Sequence, residues 1–444
     1  MMKNSGGKAM YFFVGIKGTG MASLASILHD MGYEVAGSDI ERHFFTEEQL
    51  IKRNIPIYPF NASNIKDGMT VIIGNAFSND FEEVKVALEN PNVTCYRYHV
   101  FLGMLMKDYH SICVAGSHGK TTTTTMMSKM FDNVLPTAYL IGDGTGHVTK
   151  DSHYFVLEAC EYRRHFLAYH PDYALITNVE IDHVDYFKDE ADYGSAYEEF
   201  AKQVKKNVVV FGDDPRARKL SLPDNVIWYG VEDGNDVQAI NIVETSVDME
   251  FDVMVKGEFF GHFHLPMVGR HLLWNALGVI TVGMLENVEP KVIEEGLCRF
   301  TGAKRRFVIE EYKGDIYIDD YAHHPTEISV TLDSVKLRYP NRKIVALFKP
   351  HRASRVRYFV DEFAAALSKA DVVGVCDFTS IDDFDDGTDI KITYLTDRIE
   401  GCYVFHETDE EAMLLASMSP CVYVFMSSKD IYPFKEKVKR YQKS

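Results

Sequence analysis

Lys120 and Thr121 close a segment, Val114-Ala-Gly-Ser-His-Gly-Lys-Thr-Thr122, whose residue types are those of a phosphate-binding loop. An apolar run, His110 to Ala115, leads into it, and Thr123 to Phe131 follow as a helix. A strand that stops at a glycine turn and opens a helix presents backbone N–H groups and a positive helix end to a phosphate. Lys120 then reaches the terminal phosphates of a nucleotide, and the Thr121 hydroxyl is placed to ligate Mg²⁺. The loop is a variant, because Val114 stands where the general pattern has glycine. Thr121 to Thr125 are β-branched and poor helix formers, so a helix opening there implies that the hydroxyls serve phosphate or metal.

Further clusters follow other strand-like runs. Glu158 ends the run Tyr154 to Glu158, where a carboxylate holds Mg²⁺ directly or through water; a solvated strand end is the plain alternative. Asn178, Glu180, Asp182, His183 and Asp185 come just past Tyr173 to Ile176, and His183 reads equally as ligand to a second metal or as a structural histidine. Asp319, Asp320, His323, His324 and Glu327 crowd another strand end, which Thr326 capping a helix explains only in part. Lys349, His351, Arg352 and Arg355 follow Ile344 to Phe348, and arginines clamp a carboxylate in bidentate fashion. Near the start, Gly15-x-x-Gly18-x-Gly20 with Asp39 fits a nucleotide diphosphate, although Lys17 shifts the glycine spacing from the dinucleotide fingerprint. A tight turn without a ligand is the other reading of that segment.

The elements that must position these groups alternate as in a doubly wound parallel sheet. A first unit carries strands at Ala9 to Val14, Glu34 to Gly37 and Thr70 to Ile73, with a helix over Met21 to Met31. A second restarts at His110 and includes His153 to Leu157, Tyr173 to Ile176, Val208 to Phe211 and Val226 to Tyr229. Within it, Val243 to Pro266 alternates as a small antiparallel segment. A third begins after Arg306, with strands at Ile316 to Ile318, Ile344 to Phe348, Val372 to Cys376 and Val422 to Phe425, and a helix over Tyr358 to Leu367. The boundaries fall near residues 108 and 308, and neither internal repeats nor low-complexity tracts occur.

With 444 residues, 46% apolar and 25% charged, the chain reads as a globular protein of several domains. The net charge of −18 argues against nucleic acid as a main partner, because phosphate backbones need cationic faces. No apolar run approaches membrane-spanning length, and Met1 to Lys8 lacks a signal-peptide core. The 7 cysteines are scattered without a CxxC pair, which is reduced-thiol usage and points to the cytoplasm.

These motifs occur together, in this order, in the Mur ligases, which the chain resembles over nearly its whole length. The matching residues are Gly15-Ile-Lys-Gly-Thr-Gly-Met21 with Gly37-Ser-Asp39, Gly116 to Thr124, Thr177-Asn178 with Asp182-His183, Gly269-Arg-His271, Lys304-Arg-Arg-Phe307, Asp319 to Glu327, and Pro350-His-Arg352. The resemblance implies an α/β protein of three domains. Residues 1–108 would form a Rossmann-like domain binding a UDP-sugar through Gly15, Lys17, Gly18, Thr19, Gly20, Met21, Ser38, Asp39 and Asn75. Residues 109–308 would form the central P-loop ATPase, with a parallel sheet plus the antiparallel segment, and 309–444 a Rossmann-like domain for the amino acid. ATP would lie on Gly116, Ser117, His118, Gly119, Lys120, Thr121 and Thr122, with His271 and Asn275 near adenine, Asp320 near the ribose, and Arg306 offsetting charge. Thr121 and Glu158 would hold one Mg²⁺ and His183 a second, making Lys120, Glu158, His183 and Arg306 the catalytic set.

The segment Pro350-His351-Arg352 fits the branch that adds alanine to UDP-N-acetylmuramate, and His324, His351, Arg352 and Arg355 would orient the alanine. The implied reaction phosphorylates the muramoyl carboxylate and lets an amine displace phosphate, in peptidoglycan precursor synthesis, by a cytoplasmic monomer or homodimer without membrane or nucleic acid. A peptide-recycling ligase, a nicotinamide-dependent oxidoreductase and a non-catalytic nucleotide-binding homologue are the other readings. Three positions depart from the family pattern: Cys160 replaces an aspartate, Leu272 an asparagine, and Lys429 stands in a turn that is usually glycine-rich.

Overall fold

The computed structural model describes residues 10–303, 305–378 and 389–442, so Lys304 of the Lys-Arg-Arg-Phe motif lies outside the described residues. Three sheets organise them. The first has five parallel strands in the order Ile57–Tyr58, Glu34–Ser38, Met10–Val14, Thr70–Ile73, Thr94–Arg97. Its central strand, Met10–Val14, is buried on both faces, as an apolar run in a helix-covered parallel sheet must be.

The second sheet has ten strands. Its parallel heart runs Val226–Gly230, Asn207–Phe211, Tyr173–Ile176, His110–Ala115, Tyr154–Glu158, Thr137–Leu140. Val237–Glu244 extends it in parallel and turns into two antiparallel strands, Met249–Val255 and Glu258–Leu265, so the small antiparallel segment is present and begins earlier than the alternation alone indicated. At the opposite edge the short strand Gly146–His147 pairs antiparallel with Thr137–Leu140. The third sheet orders Val308–Tyr312, Asp315–Asp320, Cys421–Met426, Lys343–Phe348, Val372–Cys376, Tyr403–Phe405, and only its first pair is antiparallel.

Two local expectations are corrected. The helix read over Tyr358 to Leu367 begins at Val360, because Phe359 (φ −111°, ψ 29°) leaves the helical region and separates it from a short helix, Ala353–Tyr358. The helix after Asp320 is capped by His324 and not by Thr326. The His324 ring accepts from the Thr326 N–H, Glu327 reaches back to the cap, and Pro325 takes the first turn, where its missing N–H costs nothing.

Candidate active site

The nucleotide loop is built by two glycines in positive-φ conformations, Gly116 (φ +130°) and Gly119 (φ +81°). A side chain at Gly116 would meet Thr177 Oγ1 at 2.1 Å, and one at Gly119 would meet Asn275 Oδ1 at 3.0 Å. Val114 needs no such freedom. It is still a paired strand residue, fully buried between Leu175 and Glu158, and the turn begins two residues later. The loop is then clamped from the next strand: the Thr177 hydroxyl and the Asn178 amide donate to the His118 carbonyl at 2.6 and 3.0 Å, and the His118 N–H donates to Asn178 Oδ1 at 3.0 Å.

Lys120 Nζ folds back onto the Gly116 and Ser117 carbonyls and lies 3.1 Å from Glu161, a carboxylate with no exposure at all. Burial opposes the Lys120 charge, but Glu161 outweighs it and holds the ammonium above its ordinary pKa. Thr121 Oγ1 donates to Glu158 at 2.9 Å, and the Gly142 N–H donates to the same carboxylate at 3.0 Å. His183, in the left-handed region (φ +53°), brings Nε2 to 3.4 Å from Glu161 and keeps a buried Nδ1 without a partner. Thr121 and Glu158 are hard oxygen donors on adjoining elements, a set that fits Mg²⁺. The structure therefore gathers Lys120, Thr121, Glu158 and His183. Glu161 organises two of them, Lys120 and His183.

Beside the loop lies a cavity of about 490 Å³ between the central and third units, lined by His118, His271, Trp274, Asn275, Arg306 and Asp320 among others. His271 Nδ1 and Trp274 Nε1 are buried without partners, and burial holds the His271 imidazole neutral, with its pKa lowered to about 4. A planar heterocycle offering both donors and acceptors suits such walls, so the residues fit an adenine base. Trp274 went unnoticed in the sequence, although it lies one helical turn from His271 on Arg270–Leu285. Leu272 contributes apolar wall where an amide was expected. Asp320 uses its two carboxylate oxygens on the Phe307 and Ala322 N–H groups, and burial lifts it to about pH 6 despite the pull of Arg306. Arg306 packs over Tyr321 at 4.6 Å and faces Glu327 at 3.5 Å.

His118 ties the two sides of this cavity together. Its Nε2 lies 3.1 Å from Glu180 of the central unit and its Nδ1 3.5 Å from Glu327 of the third. Burial opposes the imidazolium, yet these two carboxylates raise its pKa to about 9. The ligand atoms of His118, Glu180 and His324 all lie within 4.8 Å of one another, but a charged, doubly donating His118 is a counter-ion and not a metal ligand. A group whose folded pKa is raised contributes fully below its unfolded value of about 6.5 and loses that contribution as pH climbs through the folded value. The melting temperature should therefore fall between pH 6.5 and pH 9, and His118→Gln should flatten that fall in a thermal melt.

The expected amino-acid residues are placed differently from one another. His351 shares a hydrogen bond of 3.2 Å with Ser428 and is held neutral by burial and by the cations Lys429, Arg355 and Arg352, with its pKa lowered to about 3. Arg352 donates to Asp185 at 2.6 Å and packs on Tyr162. Arg355, 5% exposed, is not a free carboxylate clamp: its guanidinium is committed to Asp182 at 2.9 to 3.2 Å. His324, 1% exposed, caps its helix and packs its ring against His118 at 4.5 Å instead of joining Arg352.

At the first unit, Gly15 opens the turn (φ +82°), Gly18 caps the helix Thr19–Asp30, which includes Gly20, and Met21 is buried in the core. The Lys17 N–H donates to Asp39, while its ammonium donates to the Ile40 and Arg42 carbonyls and pairs with Glu47 at 2.7 Å. Ser38 donates to the buried Glu83. Asn75 bridges two histidines: its Oδ1 accepts from His99 Nδ1 at 2.9 Å and its Nδ2 donates to His165 Nδ1 at 3.2 Å. His99 and His165 carried no signal in the sequence and are found only because the first unit meets the central one here.

Three family models cover this architecture: "Mur ligase family, catalytic domain" matches residues 11–110, "Mur ligase middle domain" residues 114–283, and "Mur ligase, glutamate ligase domain" residues 305–421. The chain belongs to the Mur ligase family. It is accordingly an ATP-dependent ligase of peptidoglycan synthesis. Among solved Mur ligases it is similar to the UDP-N-acetylmuramate-alanine ligase of Thermotoga maritima, at 28% identity over 97% of this chain and 99% of that one, with a TM-score of 0.79. It is similar at 27% identity, over 67% of this chain and all of the other, to the UDP-N-acetylmuramate:L-alanyl-gamma-D-glutamyl-meso-diaminopimelate ligase of Neisseria meningitides (TM-score 0.59). A murein peptide ligase of Psychrobacter arcticus 273-4 shares the fold, with 22% identity over 98% of each chain and a TM-score of 0.72. No described helix is long and apolar enough to cross a membrane.

Proposed function

We propose that this ligase joins L-alanine to UDP-N-acetylmuramate. The observation that supports the choice is the likeness to the alanine-adding ligase at 28% identity and a TM-score of 0.79, against 22% and 0.72 for a murein peptide ligase matched over nearly the same extent of chain. In this reading residues 1–108 hold the UDP-sugar, 109–308 hold ATP, and 309–444 bring the amino acid. A carboxylate is a poor acyl donor until its oxygen becomes a good leaving group. The muramoyl oxygen attacks the terminal phosphorus of ATP, the bond to ADP breaks, and an acyl phosphate forms. The amine then attacks the acyl carbon, phosphate leaves, and the amine gives up a proton.

Lys120, the loop N–H groups, His118 and Arg306 oppose the repulsion between the two anions that must meet. Thr121 and Glu158 would hold Mg²⁺, with His183 close by, and the ion would supply further neutralisation of phosphate charge. Asp320, Glu327 and Val330 of the third unit line one side of the cavity, and in this reading they would help to keep water from the acyl phosphate.

The test is phosphate release from Mg-ATP and UDP-N-acetylmuramate with single amino acids and with a murein tripeptide. Release with alanine and not with the tripeptide is the expected result. Release with the tripeptide alone would move the chain to the recycling branch, and none with either would remove the proposal.

A further inference from the structure

We infer that Arg163 binds a substrate carboxylate at the point where the three units meet, an assignment that rests on the ligase reading above. Arg163 follows Glu161, the partner of Lys120, by two residues. It and Arg164 are successive non-glycine residues in the left-handed region, at φ +49° and +59°. Such a backbone persists only where its surroundings over-determine it, and it clusters at ligand sites. Here Arg164 does the determining. Its N–H donates to the Glu161 carbonyl at 2.8 Å, and the Phe166 N–H donates to the Cys160 carbonyl at 3.1 Å. The Arg164 guanidinium is held by Asp192, Ser195 and Glu199 at 2.8 to 3.0 Å. The turn is thereby locked with Arg163 turned out.

Arg163 is exposed and, among the described residues, has no hydrogen bond or ion pair; it only packs on the Tyr162 ring at 5.4 Å. The contrast with its neighbours is what makes it a site. Arg352 lies against the same ring at 5.5 Å but is paired with Asp185, and Arg355 is paired with Asp182. The Tyr162 hydroxyl donates to Asp185, and its ring packs on His183 at 4.7 Å, which anchors the platform beside Lys120 and Glu161. On the other side His165 bonds Asn75 of the first unit and stacks on His99 at 4.5 Å. In a chain of net charge −18, a guanidinium fixed by a locked turn and left without a counter-ion is placed for an anion. Phosphate already has Lys120 and the loop amides. A carboxylate, which a guanidinium fork takes in bidentate fashion, is presented by both the muramoyl group and the amino acid.

The test compares wild type with Arg163→Ala and Arg163→Lys, varying each substrate in turn. The KM for one carboxylate substrate should rise about tenfold or more in the alanine variant and recover in part in the lysine variant. The KM for ATP and the melting temperature should not move. A rise confined to the amino acid, absent when alaninamide is the acceptor, assigns the amino-acid carboxylate; a rise confined to UDP-N-acetylmuramate assigns the muramoyl one. Unchanged KM for both, or a change for ATP alone, overturns the inference while leaving the ligase reading intact. Should wild type release no phosphate, the ligase reading fails. Calorimetric titration with UDP-N-acetylmuramate and with alanine then decides, and equal affinities in wild type and Arg163→Ala overturn the inference.

Discussion

Replacing Lys120 with alanine is expected to lower kcat by about 10²- to 10³-fold, the scale lost when one donor aimed at developing charge is removed. The ammonium lies on the loop carbonyls, within reach of any phosphate seated on the Gly116–Gly119 turn, and Glu161 keeps it charged. The same pairing makes the substitution structurally costly. Burial would raise the Glu161 pKa, and Lys120 is the main influence that keeps it low. Without Lys120 a fully buried carboxylate keeps His183 and the Tyr193 hydroxyl, each at 3.4 Å, and no fixed cation, so the melting temperature should fall as well. Lys120→Ala with Glu161→Gln separates the two effects. The double variant should regain most of the lost melting temperature and none of the turnover, read by phosphate release at saturating substrates. Turnover that returned with Glu161→Gln would show Lys120 to be a structural counter-ion and would sink its phosphate role.

Much of this centre was legible in one dimension because its chemistry is local. The strand His110–Ala115 has the bounds its apolar run gives, and Lys120, Thr121 and the glycines follow within six residues. Glu158 ends one strand of the sheet and His183 lies in the loop that follows another, Tyr173–Ile176, so parallel pairing directs both to one edge. The third unit's contribution was less legible. Asp182, Glu180 and Glu327 are carboxylates that suit a metal, an arginine or a histidine equally well, and their partners lie far along the chain. Arg355 is the instructive case. Its spacing from Arg352 on a short helix is that of a carboxylate clamp, but docking supplies the carboxylate from the protein itself. His324 hid its role because a ring nitrogen takes the place usually held by a serine or threonine hydroxyl at the cap. Arg163 and Arg164 gave no signal either, since nothing in a pair of arginines announces two positive φ angles.

The Asp182–Arg355 pair carries the second large effect. It joins the central and third units with both side chains almost wholly buried, at 7% and 6% exposure. Arg355→Met should cost about 3–5 kcal/mol of stability, because it strands a buried carboxylate, whereas Asp182→Asn with Arg355→Met removes both charges and should recover most of the loss. Burial works against the Asp182 charge, but Arg355 outweighs it and holds the carboxyl well below its usual range. A depressed pKa contributes stability above the unfolded value of about 3.9 and loses it as pH falls through the folded value. Wild type should therefore lose this stabilisation on acidification below about pH 4, and the double variant should not. Denaturant melts at pH 7 and in steps downward from about pH 4 read both effects. Phosphate release at pH 7 then asks whether docking requires this pair or only tolerates it. Arg352–Asp185, His118–Glu327 and Arg306–Glu327 line the same junction, and His118 already links it to the nucleotide loop. A double variant that is stable but turns over slowly would mean that the pair sets the angle at which the third unit meets Lys120. Losses that simply add in the two single variants and the double would show that Asp182 and Arg355 do not act as a pair.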